Sequence, residues 1–538
     1  MLSTIQSTNS NLLFGRWTLR QAALGLFFTA LLFNAFGTWN LPLMHNDEAR
    51  FSEASREMLA NHNWVVPYFN GAYRFDKPPL IYWCQAPAMM IFGQNEFAAR
   101  LHSVIAGALL TAIVFVFGTR MSHPVAGFWS AVMFSTGFRT MTQAKAATSD
   151  MLLTLFVTLT YWAAWELLRE ENARANGRLN PTENSRPPAW RSRWWWVFYV
   201  SLAFGFLAKG PIAWLPLLAL PIYRRWTRSA PLNPIFRFAW GLPLTLGLVA
   251  LWGVPALILS HGDYLRVGIG GHVIARMTHG YDNHGAQNIW VYIAAIPFYL
   301  LTLFTGWGGW SIWFPWCFKR LYDEKGGADV DRFLISGMGI IYGVLTVGWT
   351  RIPHYALPAF PLVTLLFGRV WWKAGQASVT KRVGRRGLWG RVADFVWWNA
   401  GCSQKPLACM AGLLVAISLG TMIALPWIIP ALVPGKDLVA QCAPFLKPES
   451  AFATVDLDQA SLVWYFRQHV RDYRRVIKPE EAQAFMAADG PRFCIMMRDE
   501  VEKEFPNLPA GWQRVDATRP GYYSASNTKI FLSVLIKP

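Results

Sequence analysis

A cluster of alternating acids and bases, HNDEARFSEASREM at 45–58, begins just after the first long apolar segment, and RFDKPP follows at 74–79. These residue types suit two kinds of chemistry. A carboxylate such as Asp47 can take a proton from an attacking group or hold a metal, while Lys77 and Arg50 can hold an anionic head group. The same charges can instead cap helices and pair in water at a membrane surface, where exposed pairs contribute little. From the loop's own residues both readings stand.

Local chemistry says how these side chains are held. Asn46 suits a helix N-cap, with Asp47 and Glu48 in the first turn, where carboxylates meet the exposed N–H groups. Phe51, Ala54, Met58 and Leu59 recur at roughly helical spacing, with charged residues between them, which predicts a short amphipathic helix lying along the interface. Pro78 and Pro79 bias Lys77 away from helical geometry, so Asp76 and Lys77 are expected in a fixed turn ahead of a second interfacial helix.

The elements that position this loop are apolar. Runs at 21–37, 97–118, 124–138, 151–166, 194–208, 211–223, 238–260, 288–317, 333–349, 355–368 and 406–432 predict eleven membrane crossings. Breaks at Lys209–Gly210, Pro297 and Pro315 allow up to thirteen helices. Basic residues gather between particular runs: Arg169 to Arg193, Arg224 to Arg237, and Lys373 to Lys405. With eleven crossings all three stretches share one side, which the positive-inside rule makes cytoplasmic; the 45–79 loop and the C-terminal tail then face outward, and the N-terminus inward.

The net charge of +19 is explained by those loops, which excludes nucleic acid as the expected partner and favours anionic membrane lipid. The first apolar run follows Arg16 and Arg20 but ends in FGTWNLP, without a small-residue cleavage site, so it is expected to be retained as a helix. Six cysteines show no metal-binding spacing; Cys442 and Cys494, both in the outward tail, are candidates for a disulfide. The chain therefore divides into a membrane domain at 1–432 and a soluble domain at 433–538. In the latter, AFATV, RFCIMM and KIFLSVLI predict strands, and DQASLVWYFRQHV and PEEAQAFMAAD predict helices, a small α/β domain.

NDEARFSEASREML, then NWVVPYFNGAYRFDKPPLIYW, then FGQNEFAARLHS resemble, in order, the opening of the bacterial ArnT-like and protein mannosyltransferase branch of the GT-C glycosyltransferases. ATSDMLLTLFV, HGAQNIWVYI and RIPHYALPAFPLV resemble later segments of the family, and SLVWYF its soluble domain. The resemblance implies a polytopic α-helical membrane protein of GT-C type, with interfacial helices in the first outer loop and a small C-terminal α/β domain. It also implies transfer of a sugar from a polyprenyl-phosphate donor at the outer face of the bacterial inner membrane.

Carried over residue by residue, the resemblance makes Asp47 the principal catalytic carboxylate, with Glu48 beside it and Asp150 facing the cavity. Arg50, Lys77, Arg351 and Tyr355 become donor phosphate ligands, and Asp76 with His284 a site for a divalent metal ion. Two positions depart from the family pattern: Asp76 stands for a glutamate, and Arg351 for a lysine, offering a planar fork in place of a point charge. His272 and His279 have no counterpart by position.

A polyprenyl phosphate is already an activated leaving group, so fixed cations suffice to stabilise its charge and no nucleotide is expected. An acceptor phosphate such as that of lipid A is already ionised, whereas a hydroxyl requires a base; a single displacement inverts the anomeric carbon. The acceptor expected is lipid A or another envelope glycan or lipid. The alternatives are a protein acceptor, a transporter or flippase of a lipid-linked substrate with Asp47 and Lys77 in a gate, and a non-enzymatic envelope scaffold.

Overall fold

The structure is a computed structural model that describes residues 12–43, 46–175, 189–278, 288–324, 327–377, 404–428, 434–523 and 528–538. Helix α1 (Leu19–Ala35) starts at a Thr18 capping box with Gln21. After it the chain enters the charged loop: α2 (Asn46–Ala60), a hairpin of β1 (Tyr68–Phe69) and β2 (Ala72–Tyr73), and α3 (Leu80–Phe92). Long helices follow as α4 (Glu96–Met121), α5 (Pro124–Thr136), α6 (Asp150–Ala175), α7 (Arg193–Lys209), α8 (Leu215–Thr227), α9 (Phe238–Leu259), α10 (Asp329–Val347), α11 (Phe360–Ala377) and α12 (Lys405–Ile428).

Among the described residues the apolar runs of the sequence fall mainly in helical chain, but only six helical stretches are long and apolar enough to cross a bilayer unaided. The others are short or broken by proline and glycine. One of the six, Arg193–Thr227, doubles back: Gly210 takes φ +78°, and a 3₁₀ turn at Gly210–Trp214 folds onto α7, with Trp214 Nε1 donating to Leu202 O at 3.2 Å. At the other end Trp195 Nε1 donates to Phe236 O at 2.7 Å, which brings the start of α7 beside the chain that follows α8. The break expected at Lys209–Gly210 between the runs 194–208 and 211–223 is thus a reversal of the chain.

The C-terminal part begins at α13 (Pro434–Cys442) and carries β3 (Ala451–Val455), α14 (Ala460–Phe466), β4 (Arg475–Ile477), α15 (Pro479–Ala487), β5 (Arg492–Met497), α16 (Arg498–Glu504), β6 (Gln513–Asp516) and β7 (Leu532–Lys537). The sheet order is β4-β3-β5-β7-β6, parallel through β4, β3 and β5 and antiparallel through β7 to β6. One face of this sheet shares a buried core with the membrane domain: Phe452, Trp464, Phe466 and Phe493 join Leu43, Ala49, Met89 and Ala98. Cys442 belongs to that core and Cys494 to the core on the opposite face, so the two candidates do not pair; both are free, and burial pushes each thiol up to about 12.

Candidate active site

Two anchors fix the start of α2 in space. Lys145 Nζ donates to the carbonyls of Phe33, Asn34 and Phe36 at 2.5, 3.0 and 2.8 Å, satisfying the C-terminus of α1. Arg100 on α4 donates to the carbonyls of Thr38, Leu41 and Pro42, and meets Glu48 with two parallel bonds of 3.0 and 3.1 Å. Glu48 also accepts from the Ala147 N–H at 2.7 Å, three residues before Asp150. It is 3% exposed and turned away from the cavity, so the structure gives it a holding role where the sequence suggested a catalytic one.

Asp47, its neighbour, is exposed and lines a polar cavity of about 350 Å³. Arg50, Asp76, Lys77, Asp150 and Tyr355 line it too, so most of the residues drawn from distant motifs converge. The hairpin of β1 and β2 forms one wall with Phe69, Ala72 and Tyr73. Its turn is Asn70-Gly71, at φ +55° and +77°, the primed geometry that tight hairpins favour. Glu57 of α2 holds that turn by accepting from the Asn70 and Gly71 N–H groups at 2.6 and 3.0 Å.

The cavity also contains cations that sequence reasoning missed. Arg74 Nη2 lies 2.8 Å from Asp76 Oδ2, and Lys77 Nζ lies 2.6 Å from Asp76 Oδ1. Burial raises the Asp76 pKa, but Lys77, Arg74 and His272 outweigh it and hold the carboxyl well below the usual carboxylate range. His272, 3.4 Å from the same oxygen, is pushed down to about 4 by burial against the opposing pull of Asp76, and is neutral at pH 7. Asp150 at the head of α6 pairs with Lys209 at the end of α7, and Lys209 Nζ also sits 4.5 Å over the Tyr355 ring. Arg276 Nη1 donates to Tyr355 Oη at 3.3 Å.

Arg351 is not among the lining residues. Its guanidinium donates to the carbonyls of Tyr292 and Thr346 at 2.7 and 3.1 Å and stacks on the Tyr292 ring, so Arg276 occupies the wall that the motif suggested for Arg351. His284 and His279 lie outside the described residues. Among the described residues no group of three His, Cys, Asp or Glu could hold a metal ion, and the Asp76 carboxylate is already met by two cations. Asp76 and His272 are two donors, too few for a closed site.

A second cavity of about 520 Å³ adjoins the first and is apolar. Leu215, Leu246, Val249, Val254, Leu257 and Leu345 line it, while Asp76, Lys77, Lys209, His272, Arg276 and Tyr355 line both cavities and separate them. The junction thus sets a cluster of cations between a polar chamber and a greasy channel. An amphipathic phosphate ester matches that division, its phosphate at the junction and its chain in the apolar space.

Residues 76–176 match the family model of dolichyl-phosphate-mannose-protein mannosyltransferase. The undecaprenyl phosphate-alpha-4-amino-4-deoxy-L-arabinose arabinosyl transferase of Pseudomonas savastanoi pv. phaseolicola is 29% identical over 326 residues, 60% of this chain and 56% of that protein. One of the proteins of the same description in Pseudomonas fluorescens is 28% identical over 367 residues, 66% of this chain and 59% of that one. The chain therefore matches less than two thirds of the length of these curated relatives. The crystal structure of ArnT from Cupriavidus metallidurans bound to undecaprenyl phosphate superposes with a TM-score of 0.72 at 17% identity, covering 95% of this chain and 97% of that one. Its apo form gives 0.71 over the same shares.

The fold is accordingly the one seen in the ArnT structures, a polytopic α-helical membrane protein with a C-terminal α/β domain. In sequence the chain is similar to the undecaprenyl phosphate-alpha-4-amino-4-deoxy-L-arabinose arabinosyl transferases over 60–66% of its length.

Proposed function

We propose that this protein transfers a sugar from a polyprenyl-phosphate donor to an envelope acceptor, with lipid A or another glycolipid of the bacterial envelope as the acceptor. The observation that carries this reading is the shared wall of the two cavities, where Lys77, Lys209 and Arg276 stand between a polar chamber and an apolar one. The donor's phosphate lies against those cations, its polyprenyl chain in the apolar space and its sugar in the chamber beside Asp47. Relatives that the sequence matches are described as arabinosyl transferases using undecaprenyl phosphate, which favours an amino-pentose donor.

As the bond from the anomeric carbon to the phosphate oxygen lengthens, negative charge grows on the leaving phosphate. Cations already in place lower that barrier without reorganising. Asp47 faces the chamber, where it orients the attacking group and takes its proton when that group is a hydroxyl; an ionised phosphate acceptor needs only the orientation. One displacement inverts the anomeric carbon. Asp150 opens α6 and Lys209 closes α7, while Arg169 and Arg193 lie toward the other ends of those helices, which under the positive-inside rule supports a periplasmic chamber.

The divalent cation that the resemblance implies at Asp76 and His284 would have to compete with Arg74 and Lys77 for the Asp76 carboxylate, and no step of the proposal depends on it. Metal content of the purified protein, and transfer with and without chelator, test that part. The reaction itself is tested with purified protein, labelled polyprenyl-phosphate sugar and extracted envelope lipids, which are expected to give a glycosylated lipid and free polyprenyl phosphate. Transfer that survives both Asp47→Asn and Lys77→Ala would falsify the site. Donor movement across a vesicle without any transfer favours the transporter.

A further inference from the structure

A carboxylate of the C-terminal domain meets an arginine of the cavity wall. Asp458 lies in the turn between β3 and α14, with Oδ2 3.5 Å from Arg50 Nη2 and Oδ1 2.6 Å from Arg474 Nη2. Arg474, 5% exposed at its side chain, also donates through Nη1 to the carbonyls of Leu457 and Gln459, at 3.4 Å each. One guanidinium thereby holds the turn on both sides of Asp458.

The same arginine is locked to the active-site loop by its backbone. Its N–H donates to Asn70 Oδ1 and its carbonyl accepts from Asn70 Nδ2, both at 2.8 Å. The Tyr473 ring packs against Gly71, where an added Cβ would lie 3.1 Å from its carbons. Asn70 and Gly71 are the turn of the hairpin whose strands wall the cavity. Asp458 therefore stands at a defined place relative to that wall, although it comes from a different domain.

We infer that Asp458 is a positioning residue for the transfer reaction, holding the Arg50 guanidinium at the donor's phosphate. This rests on the proposed function. Arg50 carries five N–H donors in a planar fork, so a single carboxylate oxygen fixes one edge and leaves the others for phosphate. An unanchored arginine at 26% exposure would have to be ordered each time the donor binds, at a cost in rotamer entropy. The tail then serves the site directly, through a residue outside every motif of the membrane domain.

The test is a double-mutant cycle on Asp458 and Arg50. Donor KM and kcat are measured for the wild type, Asp458→Asn, Arg50→Ala, the double variant and Asp458→Glu, together with thermal midpoints. Binding of polyprenyl phosphate alone is read in the same five proteins, so the cycle closes even where turnover is lost. Asp458→Asn is expected to raise donor KM and weaken lipid-phosphate binding about fivefold, with kcat and the thermal midpoint nearly unchanged. Asp458→Glu recovers most of the loss, and Asp458→Asn adds nothing once Arg50 is alanine. Equal losses in both backgrounds, or unchanged KM and binding in Asp458→Asn, overturn the inference. A wild-type protein that transfers no sugar at all overturns the proposed function instead.

Discussion

Asp150 and Lys209 meet at 2.5 Å, each less than a tenth exposed, at adjoining ends of two neighbouring helices. Asp150 opens α6 and Lys209 closes α7, so the carboxylate lies at a positive helix end and the ammonium at a negative one. His354 Nε2 lies 3.9 Å from the other Asp150 oxygen, and Tyr355 places its ring beneath Lys209. Three elements distant in sequence, α6, α7 and the 3₁₀ turn at Pro353–Ala359, are thus tied together at the wall between the two cavities.

Breaking that pair on one side is expected to cost far more than removing it. Lys209→Met leaves Asp150 buried without its partner and should destabilise by about 3–5 kcal/mol, whereas Asp150→Asn with Lys209→Met should recover most of the thermal midpoint. Neither protein should transfer sugar, because the junction has lost a cation. Thermal unfolding in detergent separates the two effects from the transfer assay; a single variant as stable as the double one contradicts the pairing.

Asp47 and Glu48 are adjacent, yet should fail in opposite ways. Asp47→Asn changes an exposed cavity residue and should leave the thermal midpoint in place while transfer falls by about a hundredfold or more. Glu48→Gln removes the charge that Arg100 and the Ala147 N–H hold, and should lower stability by about 3 kcal/mol. Full stability in Glu48→Gln would show that this carboxylate is not the anchor of the loop.

The sequence shows the acids and bases that sit in local motifs and hides those that only helix ends bring together. Asp47, Lys77 and Asp150 each stand beside a recognisable break in apolar pattern. Lys209 marks the break between two apolar runs, so the reversal at Gly210 is legible, but nothing local indicates that its ammonium meets Asp150 59 residues away. Arg351 sits in the expected segment but points at backbone carbonyls of Tyr292 and Thr346, a choice made by neighbours 59 and 5 residues away. In the tail the three apolar strands are visible, while β4 and β6, short edge strands with little burial, carry no alternation to read.

Arg276 and Arg351 provide a direct contrast. Arg276→Ala should raise donor KM about tenfold or more, since Arg276 lines both cavities and bonds the Tyr355 hydroxyl. Arg351→Ala should act mainly on stability, because its donors are spent on two carbonyls. Steady-state kinetics with a labelled donor distinguishes them; the reverse order of effects on KM would move the phosphate away from the junction.

Glu57 gives the protein a pH dependence whose sign follows from its surroundings. Burial raises its pKa first, and Glu53, one turn earlier on α2 and held by Arg56 and Arg467, raises it further. The Gly71 and Asn70 N–H groups pull the other way but do not win, and the carboxyl reaches about 7 from an ordinary 4.5. Between those two values the folded protein binds more protons at this site than the unfolded chain does. Stability must therefore fall as pH rises from about 4.5 to about 7, then level off, with a slope from this group of at most about 1.4 kcal/mol per pH unit. Glu57→Gln keeps an oxygen for the hairpin N–H groups and removes the titration, so its thermal midpoint in detergent should lose this component of the decline. An identical slope in wild type and Glu57→Gln would mean that another group controls the pH response of the hairpin and the domain packed on it.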